Sequence, residues 1–269
     1  MKATTKKLLC LLAVLVLALS LAVPAAAATQ SDIDSWITKN AEAFKAGENL
    51  PTTCPICGAT NATWTIVDNP TGQTSAMSDG RRTHVYLVGD INFTANASFA
   101  SAYQAEKMCV YLNGANVTYN SAYQVFTAAS KTMNIFGNGN VTNKGNGAMF
   151  HYNSDGKINI YGGTYATSGN AAMFTDKVLA EGVTAHVTIY GGTFSVDPKT
   201  ADDAFEAKDI IAIAKGSTVT SANGKWTVAA SGATSNPATA DNSALLLWTV
   251  LAITSAAALT IASKKRAVK

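Results

Sequence analysis

The sequence predicts an all-β fold, a right-handed parallel β-helix of about six coils, on three observations. The first is a recurring phrase: Cys109-Val-Tyr-Leu-Asn-Gly-Ala-Asn-Val-Thr, Met133-Asn-Ile-Phe-Gly-Asn-Gly-Asn-Val-Thr, Ile158-Asn-Ile-Tyr-Gly-Gly-Thr-Tyr and Val187-Thr-Ile-Tyr-Gly-Gly-Thr-Phe. The second is its period. The last apolar residue before each Gly/Asn turn falls at Leu87, Leu112, Phe136, Tyr161, Tyr190 and Ala214, in steps of 25, 24, 25, 29 and 24. The third is an independent register, Phe126, Phe150 and Phe174, at steps of 24 and 24, with Phe205 following 31 later. Short strands repeating at such a period mean stacked coils that bury each other's faces. An antiparallel sandwich also repeats its turns, but every 8–12 residues or so. Equal positions of successive coils stack about 4.8 Å apart, so the three phenylalanines form an interior ladder. Asn116 and Asn140, also at equal positions, form a second ladder through their amides.

The elements follow in order. Residues 1–28 read as a secretory signal peptide: Lys2, Lys6 and Lys7, an apolar run from Leu8 to Val23, then small residues to Ala28. Residues 29–53 form an N-terminal helical cap. Ser31-Asp32-Ile33-Asp34 matches a capping box, Ile33, Trp36, Ile37, Ala41 and Phe44 share one face, and Gly47 is the stop. A cap of this kind covers the open edge of a first coil; the alternative is a helix packed loosely beside the rod. The β-helix domain is expected over 54–227 and a linker over 228–242. A transmembrane helix over 243–263 follows, its apolar core from Ala244 to Ala262 long enough to cross a bilayer. The tail 264–269, with Lys264, Lys265 and Arg266, stays in the cytoplasm.

Net charge needs the same partition. The whole chain is formally +3, yet residues 29–239 hold 13 basic and 16 acidic side chains. The basic balance belongs to the two ends. With Arg81 and Arg82 the body's only arginines and no basic stripe, nucleic acid is not an expected partner.

Three groups of residues could carry chemistry. Cys54-Pro55-Ile56-Cys57-Gly58 has the spacing of half a metal site, and it resembles a knuckle of the zinc-ribbon and rubredoxin type. Zinc at Cys54 and Cys57 needs two further ligands, for which Cys109, His84, His151 and His186 remain. A Cys54–Cys57 disulfide and free thiols stay open beside zinc, and Cys109 reads as a small hydrophobe in a strand. Asp176, Glu181, Asp202, Asp203 and Glu206 are the carboxylates that a carbohydrate-active enzyme could use. They are unevenly spaced, and no arginine accompanies them, so no catalytic residue is assigned. Tyr161, Tyr165, Tyr190 and Phe194 alternate along strands, so some face outward, where aromatic rings can stack on sugars; the favoured reading is that they fill the sheet surface or the core.

Before the apolar C-terminal segment stands Asn236-Pro237-Ala238-Thr239-Ala240. Pentapeptide, apolar span and basic tail in that order resemble the cell-wall sorting signal of Gram-positive surface proteins. That resemblance implies a sortase that cuts after Thr239 and joins it to peptidoglycan, reading Asn236, Pro237 and Ala238; Ala240 departs from the commoner glycine. Residues 54–227 in turn resemble the short pectate-lyase-like β-helices of Gram-positive surface proteins. Together these imply an extracellular, wall- or membrane-anchored surface protein displaying a β-helix for adhesion, glycan or protein binding, or a structural role. The alternative is a polysaccharide lyase or hydrolase.

Overall fold

The computed structural model describes residues 28–68, 83–93, 98–101, 107–129, 131–153, 155–168, 171–174, 186–199 and 210–230. They form a parallel β-solenoid flanked by one helix, α1 (Gln30–Ala46). The first sheet of the solenoid runs through β1 (Trp64–Val67), β2 (His84–Leu87), β5 (Lys107–Tyr111) and β8 (Thr132–Phe136). It continues into the first half of β11 (Lys157–Thr167) and of β12 (Val187–Phe194), then β13 (Ile211–Ile213). Every pairing is parallel, and the aligned column reads Trp64, His84, Cys109, Asn134, Asn159, Thr188, Ala212.

The second sheet joins β3 (Asp90–Phe93), β6 (Asn116–Tyr119), β9 (Asn140–Asn143) and the second half of β11. The third joins β4 (Phe99–Ser101), β7 (Phe126–Ala129) and β10 (Phe150–Asn153), with a single bridge on to Phe174. About four turns thus carry all three sheets, fewer than the six coils that the repeat suggests. The aligned register also differs by a residue in the early turns. Tyr86 pairs with Tyr111 and Tyr111 with Phe136, so Leu87 and Leu112 lie one place beyond the column.

Alternation along each strand of the first sheet divides its side chains between two apolar clusters. Val85, Val110, Ile135, Ile158 and Ile189 point into the solenoid with the phenylalanine ladder. That ladder is present and one ring longer than expected: Phe99, Phe126, Phe150 and Phe174 stack at 5.2, 5.7 and 5.5 Å. Tyr165 and Phe194, which follow the Gly162-Gly163 and Gly191-Gly192 corners, are buried beside it and do not face outward. Gly163 sits at φ +96, a conformation costly for any residue with a Cβ. The asparagine ladder also forms: the amide of Asn140 donates to Asn116 Oδ1 at 2.8 Å, and that of Asn116 to Asp90 Oδ1 at 2.9 Å.

The opposite face of the first sheet presents Tyr86, Cys109, Tyr111 and Phe136, and on it lies α1. The helix is capped two residues earlier than expected. Thr29, not Ser31, is its N-cap, bonded reciprocally with Asp32, and Gly47 ends it in the left-handed conformation. Phe44 packs on Tyr86 and Tyr111 at 5.0 and 4.8 Å; Trp36, two turns earlier, packs on Tyr111 and Phe136. Of the two placements open to it, α1 takes the one beside the rod, laid across successive strands. Its apolar face of Ile33, Trp36 and Phe44 suits that placement.

The far end is closed by an antiparallel hairpin. Strand β15 (Lys225–Ala230) pairs with the second half of β12, and β14 (Ser217–Ala222) pairs with β15. The signal peptide and the C-terminal segment lie outside the described residues. Among the described residues no helix is long and apolar enough to cross a membrane.

Candidate metal centre

Residues 51–62 form a loop braced from both sides. Trp64 Nε1 donates to Pro51 O at 2.9 Å and Trp36 Nε1 to Thr53 Oγ1 at 3.2 Å, tying the loop to β1 and α1. Within it Cys54 N donates to Ala59 O, and Gly58 N to Cys54 O, closing a tight turn. Gly58 has φ +74, which the turn needs and glycine supplies. Backbone amides of Cys57 and Ala59 are aimed at the Cys54 and Cys57 sulfurs respectively. This is the local geometry expected of the knuckle.

The loop sets its two sulfurs against the first sheet where His84 and Cys109 are aligned partners on adjacent strands. The ligand atoms of Cys54, Cys57, His84 and Cys109 all lie within 4.8 Å of one another. Cys57 Sγ approaches His84 Nε2 to 3.2 Å. The other ring nitrogen, Nδ1, lies 2.8 Å from Thr83 Oγ1, which turns Nε2 toward the sulfurs. Trp64 packs its ring against the imidazole at 5.0 Å. Cys109 Sγ accepts from the Asn134 amide at 3.7 Å, and Asn134 Oδ1 accepts from Asn159 at 2.9 Å. A polar ladder within the outward column thus ends on a sulfur of the cluster.

Cys54, His84 and Cys109 are buried and Cys57 is half-buried. The three cysteines are unpaired. Their acidities diverge. Bonds from the Cys109 and Cys54 thiols hold Cys57 well below the ordinary thiol value, with help from His84 and against burial. Cys109 is raised by Cys54, Cys57 and burial. At Cys54 the Cys109 thiol acts downward, but Cys57 and burial outweigh it and push the thiol up to about 11.

Of the candidate ligands named from the sequence, the fold brings His84 and Cys109 to the knuckle and keeps His151 and His186 away. His151 lies buried on β10, and His186 is turned to Gly156 O at 2.8 Å and stacked on Tyr152. Cys109 is buried, as a small hydrophobe would be, yet its sulfur belongs to the cluster. The sorting residues Asn236, Pro237, Ala238, Thr239 and Ala240 lie outside the described residues. So do Asp176, Glu181, Asp202, Asp203 and Glu206.

A second feature lies further along the same face. A cleft of about 670 Å³ separates α1 from the glycine corners. Gln30, Asp34 and Thr38 line one wall; Tyr161, Tyr190 and Thr193 line the other. The two tyrosine rings stack at 4.4 Å and 10°. Burial, reinforced by Tyr190, raises the Tyr161 hydroxyl above its ordinary value. Gln30 Oε1 is buried and has no hydrogen-bond partner among the described residues. No family of known proteins, no curated protein and no solved structure matches this chain.

Proposed function

We propose that the chain is an exported surface protein, anchored to cell wall or membrane, whose β-solenoid binds a glycan or protein and catalyses no reaction. The cleft beside Tyr161 and Tyr190 carries the contact reading. Its wall offers hydroxyls, amides and aromatic edges, the groups that hold a polar chain rich in hydroxyls. Asp34 is the single carboxylate among its lining residues, whereas glycosidic cleavage by the common routes needs two.

Export and anchoring rest on the sequence of the two ends. Sortase and peptidoglycan are the partners in this reading, with Asn236, Pro237, Ala238 and Thr239 read by the enzyme and Thr239 becoming the new C-terminus. Expression of the full chain in Gram-positive cells with and without their sortases tests it. Covalent attachment to peptidoglycan should appear only with sortase and vanish in Thr239→Ala. Attachment indifferent to both overturns the wall reading. For the cleft, wall and host polysaccharides are offered to the displayed protein. Tyr190→Ala should weaken binding at least about tenfold, the effect of losing one good contact. Release of shortened sugars would instead establish the lyase or hydrolase alternative.

A further inference from the structure

From the four converging donors we infer that Cys54, Cys57, His84 and Cys109 form a closed, structural Zn²⁺ site that pins the N-terminal loop to the first two turns of the solenoid. Two features of the cluster fit zinc. The donor set is Cys₃His, one of the usual structural combinations. Tetrahedral bonds of about 2.3 Å to sulfur and about 2.0 Å to nitrogen place ligand atoms roughly 3.5–3.8 Å apart. The four atoms here lie within 4.8 Å, and the closest named pair is at 3.2 Å, so small side-chain shifts satisfy the coordination sphere.

The surroundings are also those of a metal site. The Thr83 hydroxyl leaves His84 Nε2 facing the sulfurs, the nitrogen a metal takes. Amides from Asn134 and from the loop backbone point at the sulfurs, where they can offset thiolate charge. Four protein ligands leave no open position for water or substrate, so the site is structural. On binding, the thiol protons pass to solvent and His84 supplies its lone pair. No electron is transferred.

The role follows from which segments meet. His84 and Cys109 sit side by side on neighbouring strands, while Cys54 and Cys57 come from the loop under α1. One ion therefore fixes the loop, the helix that rests on it and the pairing of β2 with β5. A disulfide between Cys54 and Cys57 would close only a small loop and leave Cys109 and His84 without that link.

The test uses the full chain, purified without chelator and analysed for metal by mass spectrometry. One zinc per chain is expected. Cys57→Ser, at the half-buried position, should weaken zinc binding by about a hundredfold or more, as loss of a direct ligand exceeds loss of an outer one. Where a variant fails to fold, cobalt exchange into the wild-type chain gives the same answer, with the strong visible absorption of a tetrahedral thiolate site. Chelation should expose three further thiols to a thiol reagent and lower the melting temperature. A Cys54–Cys57 disulfide, bound iron in place of zinc, or a metal-free chain of unchanged melting temperature would each overturn the assignment. All these readouts are independent of ligand binding and of sortase.

Discussion

At Gly145 and Gly147 the coils approach so closely that a single added carbon has nowhere to go. A Cβ at Gly145 would fall 1.8 Å from Ser121 O, and one at Gly147 would fall 2.2 Å from Tyr123 O. Backbone cannot move aside as a flexible side chain can, so Gly145→Ala should destabilise the protein by about 2 kcal/mol or more. Gly224, at φ +69 with open space around it, is the contrast. Its alanine variant meets only the conformational cost of about 1–2 kcal/mol, and urea unfolding separates the two. Asn134 is a second sensitive residue, buried between Cys109 Sγ and Asn159. Asn134→Ala should cost about 1–3 kcal/mol by orphaning its neighbours, and should also loosen metal at Cys109. Half of the cysteine site was legible as a CxxC pair. The other half was legible only as two of four remaining candidates, because His84 and Cys109 meet only across coils. One signal did exist: they lie 25 residues apart, one full period of the repeat.

The elements show the same division between local and non-local information. Helix α1 was readable from its apolar spacing and its glycine stop, because both are written within the segment. Its place stayed open between coil end and flank, since that depends on Tyr86, Tyr111 and Phe136 forming one outward face three turns long. The N-cap was misplaced by two residues because Ser31 and Thr29 both offer a hydroxyl with an acid three residues on. Thr29→Ala should therefore lower stability by about 1 kcal/mol, while Ser31→Ala should do little. The Thr29 hydroxyl, then its backbone amide, hold the Asp32 carboxyl below the ordinary range. A group so shifted binds fewer protons folded than unfolded. Its contribution is complete above the usual aspartate value, about 3.9, and is lost as pH falls through the lower folded value. Asp32→Asn should shrink the gap between urea midpoints measured at pH 7 and pH 3.

For the whole molecule, stability in a stack of coils is a sum over nearest neighbours. Phe126 has a ring stacked on either side, Phe99 and Phe150, whereas Phe174 has one such partner in the ladder. Phe126→Ala should cost about 3–5 kcal/mol, and Phe174→Ala distinctly less, by denaturant unfolding. The helix modifies this picture. Its 17 residues span about 25 Å, close to five strand spacings of about 4.8 Å. Phe44 lies over Tyr86 at one end, while Gln30 at the other approaches Gly191. A rod of coils that touch only their neighbours can melt from one end like a zipper. A continuous splint across several rungs adds a coupling of longer range than any strand pair. Opening one coil then strains α1 against coils still closed, and the chain is driven toward unfolding in one step. The flank helix makes a modular stack behave as a single cooperative body, whose amides under α1 should exchange hydrogen together.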